Sequence, residues 1–553
     1  MQLVRRLVRV GALFAGAAVV AVAMQWPLAA NLGGTPQDAA DRMLQSWQVA
    51  WNGHALANQP GAVFDTNTFY PLDNDLAFTD GLIGYAPAGL IGSGPQAAMV
   101  RYNVLALLSY ALAFAAAAML ARELGLSWPA AVVAGAAFAY APFRLSHYNH
   151  LHVLSSGGIP LALTLLHRGY RLGKPAMVVA GWIAAAWQMS IGFALGLPLA
   201  YLLALLGGLL GLWWLSHGRP RPPRSLALAT AAGLAVFGGW AAWQAAPYLR
   251  VLEQYPEAQR LREYVAFYSP PPRSLLAAPQ QSATWARVTE PIRSTLDWSP
   301  EMALFPGVTV VLLALVGLLR PALSGRNRMV LGALAALTAL LSMGYSVAGG
   351  RQIYDLLYRF LPGWQASRTP GRLFTITTLA LALLAAAGAQ AWVSWLRRRP
   401  ARGPRVAPVV LCGLLTLAIL FEGRQDLEIG SLEADSERVA VADPQMHLPS
   451  DQHNDPAYVF LSTAGFPQIF NGYSGFVPNS YAQIRRRMES FPSPDSVRLL
   501  RSLGIESVVI HLDRAQGTPW EAAHARSIDG LGLTQRIEGE VAFYRVGSAK
   551  GRR

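Results

Sequence analysis

The 553 residues are 53% hydrophobic and only 14% charged, where a soluble chain carries about a quarter charged residues. The formal net charge is +14, but the basic residues sit in short stretches between uncharged runs, which argues against a nucleic-acid surface and for positive-inside asymmetry. A single cysteine, Cys412, rules out a disulfide framework and a cysteine metal site, and no Walker or Rossmann fingerprint is present.

The chain opens with a basic stretch (Arg5, Arg6, Arg9) and an apolar run to about residue 30. A cleaved signal peptide is the alternative to an uncleaved first span; the length of the run and the lack of a small-residue site at its end favour the span. Eleven apolar segments are long enough to be read as spans: 8–30, 100–121, 127–145, 150–167, 175–190, 192–215, 226–247, 303–319, 328–347, 373–396 and 405–421. With that count, five basic clusters fall on one side, the cytoplasm: Arg5, Arg6 and Arg9; Arg168, Arg171 and Lys174; Arg219, Arg221 and Arg224; Arg320, Arg326 and Arg328; and Arg397, Arg398, Arg399, Arg402 and Arg405. Glu123 is the acidic residue expected beside them.

The expected fold class is therefore an α-helical polytopic membrane protein of about eleven transmembrane helices, with a small C-terminal extracytoplasmic α/β domain. Residues 1–421 form the transmembrane domain, with exterior loops 31–99 and 248–302, and 422–553 form the exterior domain. In the tail, strands are expected at 457–461, 507–512 and 541–546, and helices at 479–490 and 494–503, the second closed by Gly504 before a buried strand.

The first exterior loop holds six carboxylates, Asp38, Asp41, Asp65, Asp73, Asp75 and Asp80, among Trp47, Trp51, Phe69 and Tyr70. Asp41, Leu44, Trp47 and Trp51 fall at helical spacing, which suggests a surface helix with aromatic anchors and a carboxylate at one end. A carboxylate there can take the proton of an attacking hydroxyl. Arg368 and Arg372, i and i+4 at the outer start of the tenth span, could share a face and clamp a phosphate, or pair with carboxylates such as Asp355. His147, His150 and His152 lie at the outer ends of the third and fourth spans, where local hydrogen bonding, phosphate contact and a metal are the readings in that order. Glu301 precedes Leu304-Phe305-Pro306-Gly307 and could serve the helix dipole, a sugar or a metal.

Several short elements resemble those of GT-C membrane glycosyltransferases, in particular a little-characterised bacterial group. They are Asp41 with Trp47 and Trp51, Phe69-Tyr70-Pro71 followed by Asp80, Tyr140-Ala141-Pro142-Phe143-Arg144 with His147 to His152, Leu361-Pro362-Gly363 with Arg368 and Arg372, and the NGYSGFVP run from Asn471 to Pro478. One departure is Ser190-Ile191-Gly192-Phe193, where that group often carries paired tyrosines.

The resemblance implies inverting transfer of a hexose or pentose from a polyprenyl-phosphate donor to a lipid, glycan or protein acceptor on the outer face of a bacterial cytoplasmic membrane. It implies Asp41 as catalytic base with Asp80 as a second carboxylate. Arg368, Arg372, His147 and His150 would hold the donor, and Trp47, Trp51, Tyr70 and Glu301 would contact sugar or acceptor. The partners are then that donor and membrane lipids. Whether a divalent ion, Mg or Mn, takes part is left open. A lipid or glycan flippase and a non-catalytic scaffold are the alternatives; the near absence of ionisable residues within the spans counts against proton-coupled transport.

Overall fold

The computed structural model describes residues 2–218, 222–398, 407–431 and 442–547. Arg219, Arg221, Arg399, Arg402 and Arg405, with the side chains of Arg5, Arg6, Arg397 and Arg398, lie outside the described parts. The chain divides into two compact units. One comprises Met1–Ala30, Val104–Trp243 and Gln259–Glu428; the other comprises Asn31–Asn103, Gln244–Ala258 and Ile429–Arg553. Asn31–Asn103, which contains the first exterior loop, is grouped with the tail in the second unit.

The first unit is helical. Among the described residues, four helices are long and apolar enough to cross a membrane: Gly94–Glu123, Phe193–Ser216, Arg224–Gln254 and Pro370–Leu396. Phe193–Ser216 and Arg224–Gln254 turn large apolar side chains outward, Leu212 being 65% and Leu228 71% exposed, as a lipid-facing surface requires. The other expected spans coincide with helices that are shorter or interrupted, so length and composition do not establish eleven crossings. The expected span 127–145 is helical only over Trp128–Ala139 and then becomes a 3-10 turn, Pro142–His147. Pro142 lacks an N–H and disfavours helical geometry at Ala141. The span 150–167 is likewise divided into Leu151–Leu154 and Gly158–Arg171.

Helices Val308–Leu319 and Phe374–Arg398 pack at backbone contact. A β-carbon on Gly317 would lie 1.9 Å from the Leu384 carbonyl oxygen, and one on Gly388 would lie 2.1 Å from that of Leu313. Small residues permit this approach where lipid offers no hydrophobic drive. The N-terminus of Val308–Leu319 is capped from a distance: Glu422 accepts from the amides of Val308 and Thr309 at 2.7 and 2.8 Å, and from the Thr309 hydroxyl. The dipole role considered for Glu301 is therefore filled by Glu422. At the opposite helix ends, Glu123 is buried and meets Arg171 at 2.7 Å and Arg168 at 3.5 Å. This pairing puts the C-termini of Gly94–Glu123 and Gly158–Arg171 together.

In the second unit, the tail carries a four-stranded sheet of β1 (Gln445–Leu448), β2 (Ser507–His511), β3 (Leu533–Glu538) and β4 (Val541–Val546) in the order β1-β2-β4-β3. β1 and β2 run parallel, while β4 is antiparallel to β2 and β3. The helix Pro494–Leu503 is capped by the Ser493 hydroxyl and ends at Gly504 with φ of 74°, leading into β2. The strand expected at 457–461 is instead part of a helix, Asp455–Leu461. Pro456 suits a first helical turn, and Tyr458, Val459 and Phe460 are all buried, so the alternation of a one-faced strand is not needed. The exterior loop joins the tail through Phe69 N–H to Asn471 C=O, Tyr70 N–H to Ile469 C=O and Ile469 N–H to Asn67 C=O. The Phe69 ring lies over Gly472, whose β-carbon would meet it at 2.4 Å.

Two measurements check this account. Glu422→Ala removes the partner of two amides at a helix N-terminus and is expected to cost about 0.5–2 kcal/mol, read as a lower melting temperature in detergent, with Glu422→Gln recovering part of it. Burial pushes the Asp75 carboxyl up to about 7, against hydrogen bonds from Thr66 and Thr68 that pull it down. A carboxyl whose folded pKa is raised makes the folded state bind its proton more tightly. Its contribution is therefore present below about 4 and lost as pH rises through about 7, at most roughly 4 kcal/mol. Wild type is expected to lose melting temperature across that window relative to Asp75→Asn; parallel pH curves would contradict this.

Candidate functional site

Two groups of functional side chains emerge, one in each unit. In the second unit, Asp41 lies in the first turn of the helix Ala40–Asn58. The start of that helix is fixed by Arg42, 1% exposed, which donates to Asn103 Oδ1 at 2.7 Å; Asn103 in turn donates to the carbonyls of Leu32 and Gly34 at 2.8 and 2.9 Å. The Arg42 guanidinium also lies 5.2 Å from the centroid of the Tyr102 ring. The Asp41 carboxylate accepts from the Tyr473 hydroxyl at 3.3 Å. Tyr473 belongs to the NGYSGFVP run, which was legible in sequence, but its partner was not; Arg42 and Asn103 carry no motif at all.

Tyr473 also lines a small hollow together with Trp47, Gln48, Thr68, Asp75 and Ser474, among others. Trp47 and Trp51 are each 3% exposed. Their indole N–H groups donate to Asn67 Oδ1 at 3.0 Å and to the Val63 carbonyl at 2.9 Å. They are not membrane anchors on an open surface: the helix is enclosed by its own loop and the tail, and Trp47 alone of the two reaches the hollow. Tyr70 is half-buried, its hydroxyl 3.1 Å from where a β-carbon on Gly504 would stand, which places it against the tail. Asp80 is half-buried and its backbone carbonyl accepts from Gln48 at 2.9 Å. The buried carboxyl of the hollow is Asp75, which takes the Thr66 amide at 2.8 Å and the hydroxyls of Thr66 and Thr68.

In the first unit, the Pro142–His147 turn, the start of Leu151–Leu154, the turn Ser299–Met302 and the turn Pro370–Leu373 converge. Arg372 donates to Glu301 through Nη2 at 2.5 Å and Nε at 3.2 Å, and its Nη1 lies 3.1 Å from His152 Nε2. His147 Nδ1 and His150 Nδ1 are 3.3 Å apart. Burial would raise the Glu301 carboxyl, but the Arg372 guanidinium outweighs it and holds the group well below the usual carboxylate range. Burial pushes His147 down to about 3, against the pull of Glu301, so its imidazole is neutral and offers a lone pair. Arg144 secures the loop from below, donating to the Ser156 hydroxyl at 2.5 Å and the Leu154 carbonyl at 2.8 Å.

The shared face expected of Arg368 and Arg372 does not form. Pro370 keeps Thr369 out of helical geometry. Arg368 instead donates to the Tyr264 hydroxyl at 3.2 Å and lies over the Tyr268 ring. Asp355, considered as a partner for these arginines, pairs with Arg262 and Arg359. Arg372 and Thr369 are the polar members of a shallow cleft whose apolar lining includes Phe193, Leu197, Pro198, Trp364 and Leu373. Phe193 stands there at the segment where the resembling group carries tyrosines.

No protein-family model matches the chain, and no curated protein matches it. Among solved structures it is similar to the arabinofuranosyltransferase AftD from Mycobacteria, at 15% identity and a TM-score of 0.57, over 98% of this chain and 40% of that one. The chain therefore spans about two fifths of the length of that transferase. It also matches the oligosaccharyltransferase of Archaeoglobus fulgidus at 13% identity and a TM-score of 0.45, covering 98% of this chain and 74% of that one. ArnT from Cupriavidus metallidurans matches at 13% identity and 0.37, covering 98% and 99%. With its long apolar helices, the protein is a multi-pass membrane protein with the fold of the GT-C glycosyltransferases.

Proposed function

We propose that this chain is a glycosyltransferase that moves a sugar from a polyprenyl-phosphate donor to a hydroxyl-bearing lipid, glycan or protein acceptor at the outer face of a bacterial cytoplasmic membrane. The observation that carries this reading is a cleft with an apolar lining and the Arg372 guanidinium among its lining groups, found in a chain with the GT-C fold. A prenyl phosphate has the matching chemistry: apolar isoprene units for Phe193, Leu197, Pro198 and Trp364, and an anion for the guanidinium.

Transfer needs two things of the protein. The acceptor hydroxyl must lose its proton as its oxygen bonds the anomeric carbon, the role that the sequence resemblance implies for Asp41. The bond from the anomeric carbon to the phosphate oxygen breaks, and the negative charge that gathers on the leaving phosphate is met by Arg372. Glu301 holds that guanidinium in place meanwhile. The Tyr473 hydroxyl keeps the Asp41 carboxylate oriented. Asp80, whose backbone carbonyl accepts from Gln48, is the second carboxylate of this reading. A pentose is the first donor sugar to test, because AftD, similar at a TM-score of 0.57, is named an arabinofuranosyltransferase. Nothing in the comparisons favours the flippase or scaffold alternatives.

Purified protein supplied with radiolabelled polyprenyl-phosphate pentose or hexose tests the reading. Asp41→Asn is expected to lower transfer by about 10²–10⁴-fold while retaining donor binding and elution as a folded protein; full activity would refute the assignment. Arg372→Gln is expected to weaken donor binding, and Arg372→Lys to recover only part of it, because an ammonium does not reproduce the forked donor geometry. Equal donor affinity in all three proteins would remove Arg372 from the site.

A further inference from the structure

His147, His150 and Glu301 each present one donor atom to a common point, and all three atoms lie within 4.8 Å of one another. The two histidines come from the end of one turn and the residue before the next helix; Glu301 comes from a segment about 150 residues away in sequence. The contact between the imidazoles is Nδ1 to Nδ1 at 3.3 Å, long for a direct hydrogen bond. It matches the edge of a tetrahedron whose centre is about 2.0–2.1 Å from each nitrogen, the usual zinc–imidazole length. The Glu301 oxygen must close in for full ligation. Arg372 holds both oxygens of that carboxylate now, so a small rotation that moves one oxygen to a cation leaves the other on the guanidinium.

We propose that His147, His150 and Glu301 form a binding site for a borderline divalent transition-metal ion such as Zn2+. The donor set decides the class. Two imidazole nitrogens and one carboxylate suit Zn2+ or Co2+, whereas Mg2+ and Ca2+ require shells of oxygen. Three protein ligands leave one tetrahedral position open, the arrangement of sites that take up a further oxygen ligand. That a phosphate oxygen fills this position rests on the transferase reading; that the ion binds does not.

The experiment uses full-length protein in detergent, stripped with a chelator and titrated with Co2+, then Zn2+. Expected is one equivalent bound, with a visible absorption band of four-coordinate cobalt that Zn2+ bleaches and millimolar Mg2+ leaves unchanged. His150→Gln, at a half-buried position, is expected to weaken Zn2+ binding by at least about tenfold with an unchanged gel-filtration profile, and His147→Asn serves as the second variant. No band and no bound ion in wild type, unweakened binding in both variants, or displacement by Mg2+ each overturns the site. Binding as expected in a protein that transfers no sugar leaves this site standing and sinks the transferase reading. Undiminished transfer by a protein that binds no ion does the reverse.

Discussion

The helical unit turns on a carboxylate and a guanidinium that are both removed from water. Glu301 and Arg372 have side-chain exposures of 6% and 14%. Either one alone would bear an uncompensated desolvation cost, and breaking such a pair from one side costs about 3–5 kcal/mol. Their bond draws together the turn Ser299–Met302 and the turn Pro370–Leu373, which are far apart in sequence. The histidine loop joins through His152 on the same guanidinium. Glu422 occupies the neighbouring helix terminus, so Glu301 is not needed to cap it.

The same arrangement makes the site a competition between anions. A phosphate that reaches Arg372 meets a guanidinium already bound to a carboxylate, so its net affinity is the difference between two strong interactions. A cation among His147, His150 and Glu301 would shift that balance by drawing carboxylate charge away from Arg372. The proposed donor and metal sites are thus thermodynamically linked through one carboxylate.

The sequence made legible what depends on local pattern. Hydropathy located the helices, because apolar runs of that length have few other fates. Ser493, Pro494 and Gly504 marked the ends of a tail helix, since caps are written in neighbouring residues. Strands β1 and β3 were missed: β1 has four residues between Pro444 and Pro449, and β3 is largely exposed, so neither shows a clear period. The run 457–461 misled because Tyr, Val and Phe read as strand formers, while their burial on all sides is a tertiary fact. The pairings that build the candidate sites, Arg42 with Asn103, Asp41 with Tyr473 and Arg372 with Glu301, join distant segments and leave no spacing to read. His147 and His150 were the exception, being three residues apart.

The sheet of the tail carries one more lesson. β1 is flanked by a bridge from Gln445 to Ile469, whereas β3 closes the other side of the order with Arg536, Glu538 and a half-exposed Ile537. Molecules anchored in a bilayer diffuse in two dimensions, where copies collide at high effective concentration and in similar orientation. An uncharged strand at that border would invite strand exchange between neighbours, and paired charges at the rim of β3 discourage such zippering. Crowding in the membrane plane, and not folding alone, is then a reason for this strand to be polar.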